Sequence, residues 1–232
     1  MRAVPFFLVP FLSSALAQTQ PDAAEILKKV SEKYLAAKQF EFVVDQTERE
    51  PSGKIVSRRV RMAFSASNKY RMEGKLPELA EFGQGDEMLI VYDGSFLWFY
   101  IPKSNQYGSV PAGNLRADDP GDSGDMRPEF VREVTNAFSR LAESSKDAKL
   151  LREDALQIEG NKAACYVVSF TDKENRGSVT VWIDEKNFHL LRLETPEGTA
   201  TYSVVKLDEP LSDDLFKFTP PAGAKKIELN HP

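Results

Sequence analysis

Apolar residues run in short strand-like segments along much of the chain, and the densest of these after the N-terminal region lies at 89–106. Within it, Asp93-Gly94 separates two runs rich in Ile, Val, Tyr, Phe and Trp, a pattern typical of a β-hairpin with a two-residue loop. With Asp93 and Gly94 as that loop, Ile90 lies opposite Leu97. Both faces of the predicted hairpin are then apolar. Each face needs a cover, of which one is ordinary core and the other is a lid or a bound guest.

Two segments have the period of an amphipathic helix. Asp22 and Glu25 resemble a capping box, and the apolar residues after them recur at helical spacing until about Lys38. Pro128 suits the first turn of a second helix, which we expect to end near Ser145. The apolar stripes of the two predicted helices are Ile26, Leu27, Val30 and Tyr34 in the first, and Phe130, Val131, Val134, Ala137, Phe138 and Leu141 in the second.

The other periodic segments alternate like β-strands. They are residues 40–46, 55–66 and 70–73 before the hairpin, and 156–159, 164–171, 178–184, 190–194 and 199–207 after the second helix. Short turns separate neighbouring strands, which indicates an antiparallel meander and not parallel crossovers. We therefore predict one curved antiparallel sheet with helices on one side or at its mouth. The Gly-, Pro- and Asp-rich stretch 108–128 is predicted to be a long loop.

The N-terminal residues 1–17 are typical of a secretory signal peptide, because Arg2 precedes an apolar run that ends in Ala15-Leu16-Ala17. We expect residues 18–232 to form a single domain, exported to a bacterial periplasm as a soluble protein without a lipid anchor. The single cysteine, Cys165, excludes an internal disulfide and a Cys-rich metal site, and we expect it to be a small buried hydrophobe. A formal net charge of −5 argues against a nucleic-acid partner.

No catalytic constellation stands out. Residues 121–125, Gly-Asp-Ser-Gly-Asp, resemble the nucleophile segment of trypsin-like proteases, but neither His189 nor His231 lies in a protease-like histidine motif. A Gly-x-Ser-x-Gly elbow, a histidine-rich metal spacing and a phosphate-binding loop are all missing from the sequence. We therefore expect a protein that is not an enzyme and that uses no cofactor and no metal.

Three motifs together resemble a known family. They are Asn-Lys-Tyr-Arg at 68–71, Val-Tyr-Asp-Gly at 91–94 with Leu-Trp-Phe-Tyr at 97–100 and Asn-Gln at 105–106, and Leu-Phe-Lys-Phe-Thr-Pro-Pro-Ala-Gly at 215–223. In this order they are similar to the periplasmic lipoprotein carriers of the LolA family, whose superfamily includes the outer-membrane acceptor LolB and the sigma-factor regulator RseB. The resemblance covers nearly all of residues 18–232.

The resemblance implies an α+β, mainly β fold: a curved antiparallel sheet forming an unclosed β-barrel, with helices covering its mouth or concave face. Its apolar cavity would bind the acyl chains of lipoproteins or related lipids. The implied partners are an inner-membrane lipoprotein transporter that loads the carrier and an outer-membrane acceptor that unloads it. We expect a monomer that ferries its cargo between the two membranes.

Strand alternation assigns residues to the wall of this cavity. The expected wall consists of Phe42, Val44, Val60, Met62, Phe64, Tyr70, Met72, Ile90, Leu97, Phe99, Val168, Phe170, Val181, Ile183, Leu191 and Leu193, and the lid candidates are Phe82, Phe130, Val134 and Phe138. The same residues are also compatible with permanent core, and a register slip of one residue would invert the list. The pattern leaves open whether Trp98 and Trp182 line the cavity or pack outside it.

One position departs from the family pattern. The carriers have an arginine that latches the lid, and here Ala66 stands at the corresponding place. Either Arg58, which alternation directs to the apolar face of its strand, replaces this latch, or the lid is held differently. An alternative function on the same fold is a lipid- or lipoprotein-sensing regulator of a membrane partner, similar to RseB.

Overall fold

The computed structural model describes residues 21–50, 52–75, 87–114, 136–173 and 177–228. Its first element is helix α1 (Ala23–Ala36), which begins where the Asp22 side chain accepts a hydrogen bond from the backbone N–H of Ala24. The predicted apolar stripe of α1 is buried from Ile26 to Tyr34. Within the described residues, no helix is long and apolar enough to cross a membrane.

The described strands form a single sheet of twelve strands. In chain order they are β1 (Phe40–Arg49), β2 (Ile55–Phe64), β3 (Tyr70–Lys75), β4 (Glu87–Tyr92), β5 (Phe96–Ile101), β6 (Gln106–Pro111), β7 (Ser145–Ile158), β8 (Asn161–Asp172), β9 (Ser178–Asp184), β10 (Leu190–Glu194), β11 (Gly198–Leu207) and β12 (Lys225–Lys226). Short helical turns lie at Ala112–Asn114 and Asp213–Phe216, and α2 (Leu141–Ser144) directly precedes β7.

Two antiparallel meanders make up this sheet. Strands β1 to β6 pair each with the next, β7 to β11 do the same, and β1 joins the two halves by pairing with β11. The sheet is not closed, since β7 lies at one end and β12, which pairs in parallel with β6, at the other. Register shifts between Val43 and Val44 and along β7 add bends to its twist. The predicted curved, unclosed antiparallel sheet is confirmed.

The sheet has two chemically different faces. We call inner face the one that carries Phe42 and Ile90 and packs against α1, and outer face the one that carries Glu41 and Val91. Residues paired directly across neighbouring strands share a face. Almost all buried apolar residues of the inner face belong, together with those of α1, to one hydrophobic cluster.

The central hairpin is present, but its predicted register is wrong. Tyr92 pairs with Leu97 and Ile90 with Phe99, so the two residues of the tight turn are Gly94 and Ser95. The turn lies one residue later than the Asp-Gly rule places it. Each residue of β4 therefore pairs with a residue of β5 two positions later than predicted. Because side chains alternate between the faces with a period of two, the apolar residues keep their predicted faces.

Two strands, β6 and β12, were not predicted, and β7 was predicted only at its C-terminal end. Strand β6 extends into the stretch that was predicted as a loop from Gly108, and β7 begins at Ser145, well before its predicted start at Leu156. Strand β12 is only two residues long. The second predicted helix is helical at 136–139 and in α2, and it ends next to Ser145 as expected. Its predicted start at Pro128 lies outside the described residues.

Candidate functional site

Rows of large apolar side chains cross the inner face. One row consists of Phe42, Met62, Met72, Ile90 and Phe99, which are paired in turn from β1 to β5. The next row consists of Phe40, Phe64, Tyr70, Tyr92, Leu97 and Val110 from β1 to β6. Because the hydrophobic cluster contains both rows, the first half of the sheet presents a continuous apolar surface on this side.

The structure brings nearly all predicted wall residues together. The buried members of the inner-face cluster include Phe42, Val44, Val60, Met62, Phe64, Tyr70, Met72, Ile90, Phe99, Val168, Phe170, Val181 and Ile183. Leu97 and Leu193 are partly buried against the same cluster. These residues are placed as the alternation predicted, while their role in binding a ligand stays a prediction.

Leu191 does not belong with them. Strand β10 carries a register shift between Leu190 and Arg192, so Leu190 lies on the inner face opposite Ile183 while Leu191 packs in a separate cluster with Cys165 and Trp182. A bulge changes the parity of every residue beyond it. We therefore remove Leu191 from the proposed wall.

The described helices pack on the middle of the inner face, where β1 pairs with β11. The Tyr34 ring of α1 is 6.0 Å from that of Phe42 and 5.0 Å from that of Phe138, and the Phe138 ring is 5.6 Å from that of Tyr202 on β11. The hydroxyl oxygen of Tyr34 accepts a hydrogen bond from the backbone N–H of Leu190, and burial raises the pKa of Tyr34. The ring contacts that these helices make with strands therefore fall on β1 and β11.

Among the four lid candidates, only Phe138 lies in the described residues; Phe82, Phe130 and Val134 lie outside them. Phe138 is 5% exposed and belongs to the aromatic packing around Tyr34. Phe138 is therefore part of the helix-covered middle of the inner face.

Arg58 lies on the inner-face side of β2, as alternation predicted. Its side chain donates hydrogen bonds to Gln46 Oε1 at 2.5 Å and to Glu48 Oε1 at 2.8 Å, both on the neighbouring strand β1. The guanidinium group of Arg58 therefore lies at the rim of the apolar surface and is hydrogen-bonded to these two side chains. A latching role for Arg58 toward a lid stays a prediction.

The second apolar face of the hairpin is covered by the C-terminal part of the chain. The Phe218 ring lies 5.6 Å from Trp98, 6.0 Å from Tyr100 and 6.0 Å from Tyr107 on the outer face, and nearby Phe216 is 1% exposed. Sequence reasoning assigned one face of the hairpin to a lid or a guest and missed this intramolecular cover. The alternating Phe-x-Phe of residues 216–218 was the signal that could have found it.

Both tryptophans pack on the outer face. The indole N–H of Trp98 donates to Asp93 Oδ2 at 2.8 Å. Trp182 lies in the cluster of Cys165, and Arg192 is 5.0 Å from the centre of its ring.

Cys165 is fully buried, and burial raises the pKa of its thiol to about 11, which suits a small hydrophobe and not a nucleophile.

A groove of about 510 Å³ crosses the outer face beside Glu41, Arg59 and Arg61. Glu41 is 4% exposed and accepts hydrogen bonds from Arg61 Nε at 2.9 Å and from Lys206 Nζ at 2.7 Å. Burial alone would raise the pKa of Glu41, but the hydrogen bonds from Lys206 and Arg61 outweigh it and lower the pKa. The charges of this groove are thus largely engaged with one another. The described residues hold no group of three or more His, Cys, Asp or Glu side chains placed to bind a metal ion.

Comparison with known proteins finds no matching family model. A curated relative, the uncharacterized protein MJ0687 of Methanocaldococcus jannaschii, is 31% identical over 223 residues. The match covers 94% of this chain and 58% of the relative. The chain thus spans less than two thirds of the length of that relative.

Solved structures give weaker likenesses. A MucA/MucB complex of Pseudomonas aeruginosa matches with 15% identity and a TM-score of 0.44 over 86% of this chain and 62% of that chain. The LolA superfamily protein NE2245 of Nitrosomonas europaea matches with 15% identity and a TM-score of 0.31 over 86% of this chain and 99% of that chain. An uncharacterized conserved protein of Thermus thermophilus matches with 12% identity and a TM-score of 0.42 over 88% of this chain and 98% of that chain.

Proposed function

We propose that this protein is a divergent LolA-like carrier that binds the acyl chains of lipoproteins or related lipids against the inner face of its sheet. It does so without catalysis, after export to the periplasm. The proposal is supported by the resemblance of three sequence motifs and by the chemistry of the inner face. The single observation that carries it is the continuous apolar surface on one side of an open sheet.

The proposed acyl site is the part of the inner face away from the described helices. Tyr34 and Phe138 pack against Phe42 and Tyr202, at β1 and β11. The row that continues from Phe42 across β2 to β5 consists of the flexible Met62 and Met72, the aliphatic Ile90 and the aromatic Phe99. Methionine side chains adapt to irregular apolar partners, which suits a site that accommodates mobile hydrocarbon chains.

The free energy of acyl-chain burial implies that the proposed carrier needs partner proteins to load and unload it. Each buried methylene contributes about 0.8 kcal/mol, so a chain of roughly fifteen methylenes gains on the order of 12 kcal/mol on leaving water. A bilayer offers the same gain. Apolarity alone therefore cannot extract lipid from a membrane, and the proposed carrier needs an inner-membrane transporter to load it and an outer-membrane acceptor to unload it.

The substitution Leu97→Glu tests the proposed site. Leu97 is partly buried on the inner face opposite Tyr92, so a carboxylate there places a charge beside the bound hydrocarbon while the fold survives. We expect the affinity for a fluorescent fatty acid, measured by titration, to fall by about tenfold or more.

The matched control is Val204→Glu, which introduces the same charge at a half-buried valine of the outer face. This variant should bind the fatty acid as the wild type does. Equal loss of binding in both variants, or unchanged binding in Leu97→Glu with an intact circular dichroism spectrum, would remove the inner face as the binding site.

A regulator with the same fold is the competing function. Capture of a membrane-spanning anti-sigma factor by the purified protein, with no capture of a lipoprotein transporter, would favour the regulator over the carrier.

A further inference from the structure

The proposed acyl surface contains one position where a side chain is missing. Gly108 on β6 pairs with Phe99 and so continues the row of large residues that begins at Phe42. The other strands carry a large side chain at this point of the row. Gly108 has none, so the inner face has a recess there.

The ring of Phe99 fills this recess. A β-carbon placed on Gly108 would lie 2.4 Å from Cζ and 2.5 Å from Cε2 of Phe99, closer than side-chain carbons approach one another. The ring therefore lies down over the glycine, against the sheet. Gly108 is not among the residues with positive φ, so the requirement for glycine comes from space and not from backbone conformation.

From this contact we infer that Gly108 is a specificity-determining position of the acyl site: it keeps the Phe99 ring flat against the sheet, so that a long hydrocarbon chain bound on the inner face extends across β5 and β6. The inference rests on the proposed function. The surface from β2 to β6 spans four inter-strand steps, about 19 Å, which is comparable with an extended long acyl chain. A short chain needs only part of that length.

The substitution Gly108→Ala moves the ring. The added methyl group occupies the place of the ring edge, so Phe99 must rotate away from the sheet, toward the side on which the proposed acyl chain binds. The acyl site then becomes shorter, and the affinity for long chains decreases while that for short chains does not. A flat phenylalanine over a glycine also stabilises sheets without any ligand, so stability alone does not measure this role.

The test measures dissociation constants of hexadecanoic and decanoic acid by calorimetric titration. In Gly108→Ala the constant for hexadecanoic acid is expected to rise about tenfold, and that for decanoic acid to change by less than about twofold. Adding Phe99→Leu to this variant removes the ring and should return hexadecanoic acid to within about threefold of the wild type. Gly113→Ala is the matched control, because a β-carbon there meets nothing within 4 Å.

The outcomes separate the two proposals. Equal weakening of both acids in Gly108→Ala, or no weakening with the fold intact, overturns the role of Gly108 and leaves the carrier function standing. A wild-type protein that binds neither acid overturns the carrier function and this inference with it. Selective loss of the long acid, with rescue by Phe99→Leu, supports both.

Discussion

At the scale of single residues, Asp93 sets the register of the central hairpin. Its carboxylate accepts hydrogen bonds from the backbone N–H groups of Ser95 at 2.7 Å and Phe96 at 2.8 Å, in addition to that from Trp98. Asp93 therefore belongs to the base of the turn, and Gly94 takes the positive φ of +97° inside it. The Asp-Gly pair predicted the hairpin correctly, but the sequence could not reveal a hydrogen bond to a tryptophan five residues away.

His189 makes stability depend on pH. Burial and the positive charge of Lys33 lower the pKa of His189 to about 4, below its ordinary value of 6.5. The negative charge of Asp184 acts in the opposite direction but is outweighed. The unfolded chain therefore binds a proton more readily than the folded chain, and stability is lost as the pH falls from about 6.5 toward 4.

We expect His189→Gln to reduce the loss of unfolding free energy between pH 7 and pH 5 by about 1 kcal/mol, because glutamine takes up no proton. Urea denaturation of both proteins at the two pH values measures the difference. Identical losses in wild type and variant would show that His189 is not held neutral by the fold.

At the scale of elements, strands were predicted well where apolar alternation is strong and poorly where it is weak. Strands β9 and β10 have the predicted bounds. Strand β7 was missed along most of its length because its sequence, Ser-Lys-Asp-Ala-Lys-Leu-Leu-Arg-Glu-Asp-Ala-Leu-Gln-Ile, is rich in charged residues that strands disfavour. Its position explains this composition, since β7 is an edge strand and is mostly exposed. Strand β6 was missed because Gly108 is the first residue of the Gly-, Pro- and Asp-rich stretch that is predicted to be a loop.

The C-terminal segment is an element whose role is structural. Phe216 is almost fully buried, while Phe218 is half-buried on the aromatic residues of the outer face. We expect Phe216→Ala to lower the unfolding free energy by about 3–5 kcal/mol, because it removes a fully buried aromatic ring. The segment covers the face opposite the proposed site, so acyl affinity per folded molecule should not change.

Urea denaturation and fatty-acid titration of Phe216→Ala measure these two quantities separately. Phe218→Ala serves as its comparison, with a smaller loss expected from a half-buried ring. Loss of acyl binding in a folded Phe216→Ala protein would instead connect the outer face to the site.

At the scale of the whole molecule, the open sheet and its packing follow from the sequence, but the assignment of apolar faces to core or ligand does not. Alternation placed Met62, Met72 and Phe99 on one face, and it failed at Leu191, where a bulge that leaves no trace in the sequence reversed the parity. The predicted second cover of the hairpin proved to be Phe218 on the outer face. The carrier proposal assigns the inner face from β2 to β6 to a hydrocarbon guest.

Native mass spectrometry of the wild-type protein, purified from an exporting host without detergent, shows directly whether that face carries a guest. The carrier proposal predicts a population heavier than the polypeptide by the mass of an acylated molecule, which organic extraction releases and which Leu97→Glu lacks. A protein that appears only at its bare mass, and that takes up no added fatty acid, would contradict it.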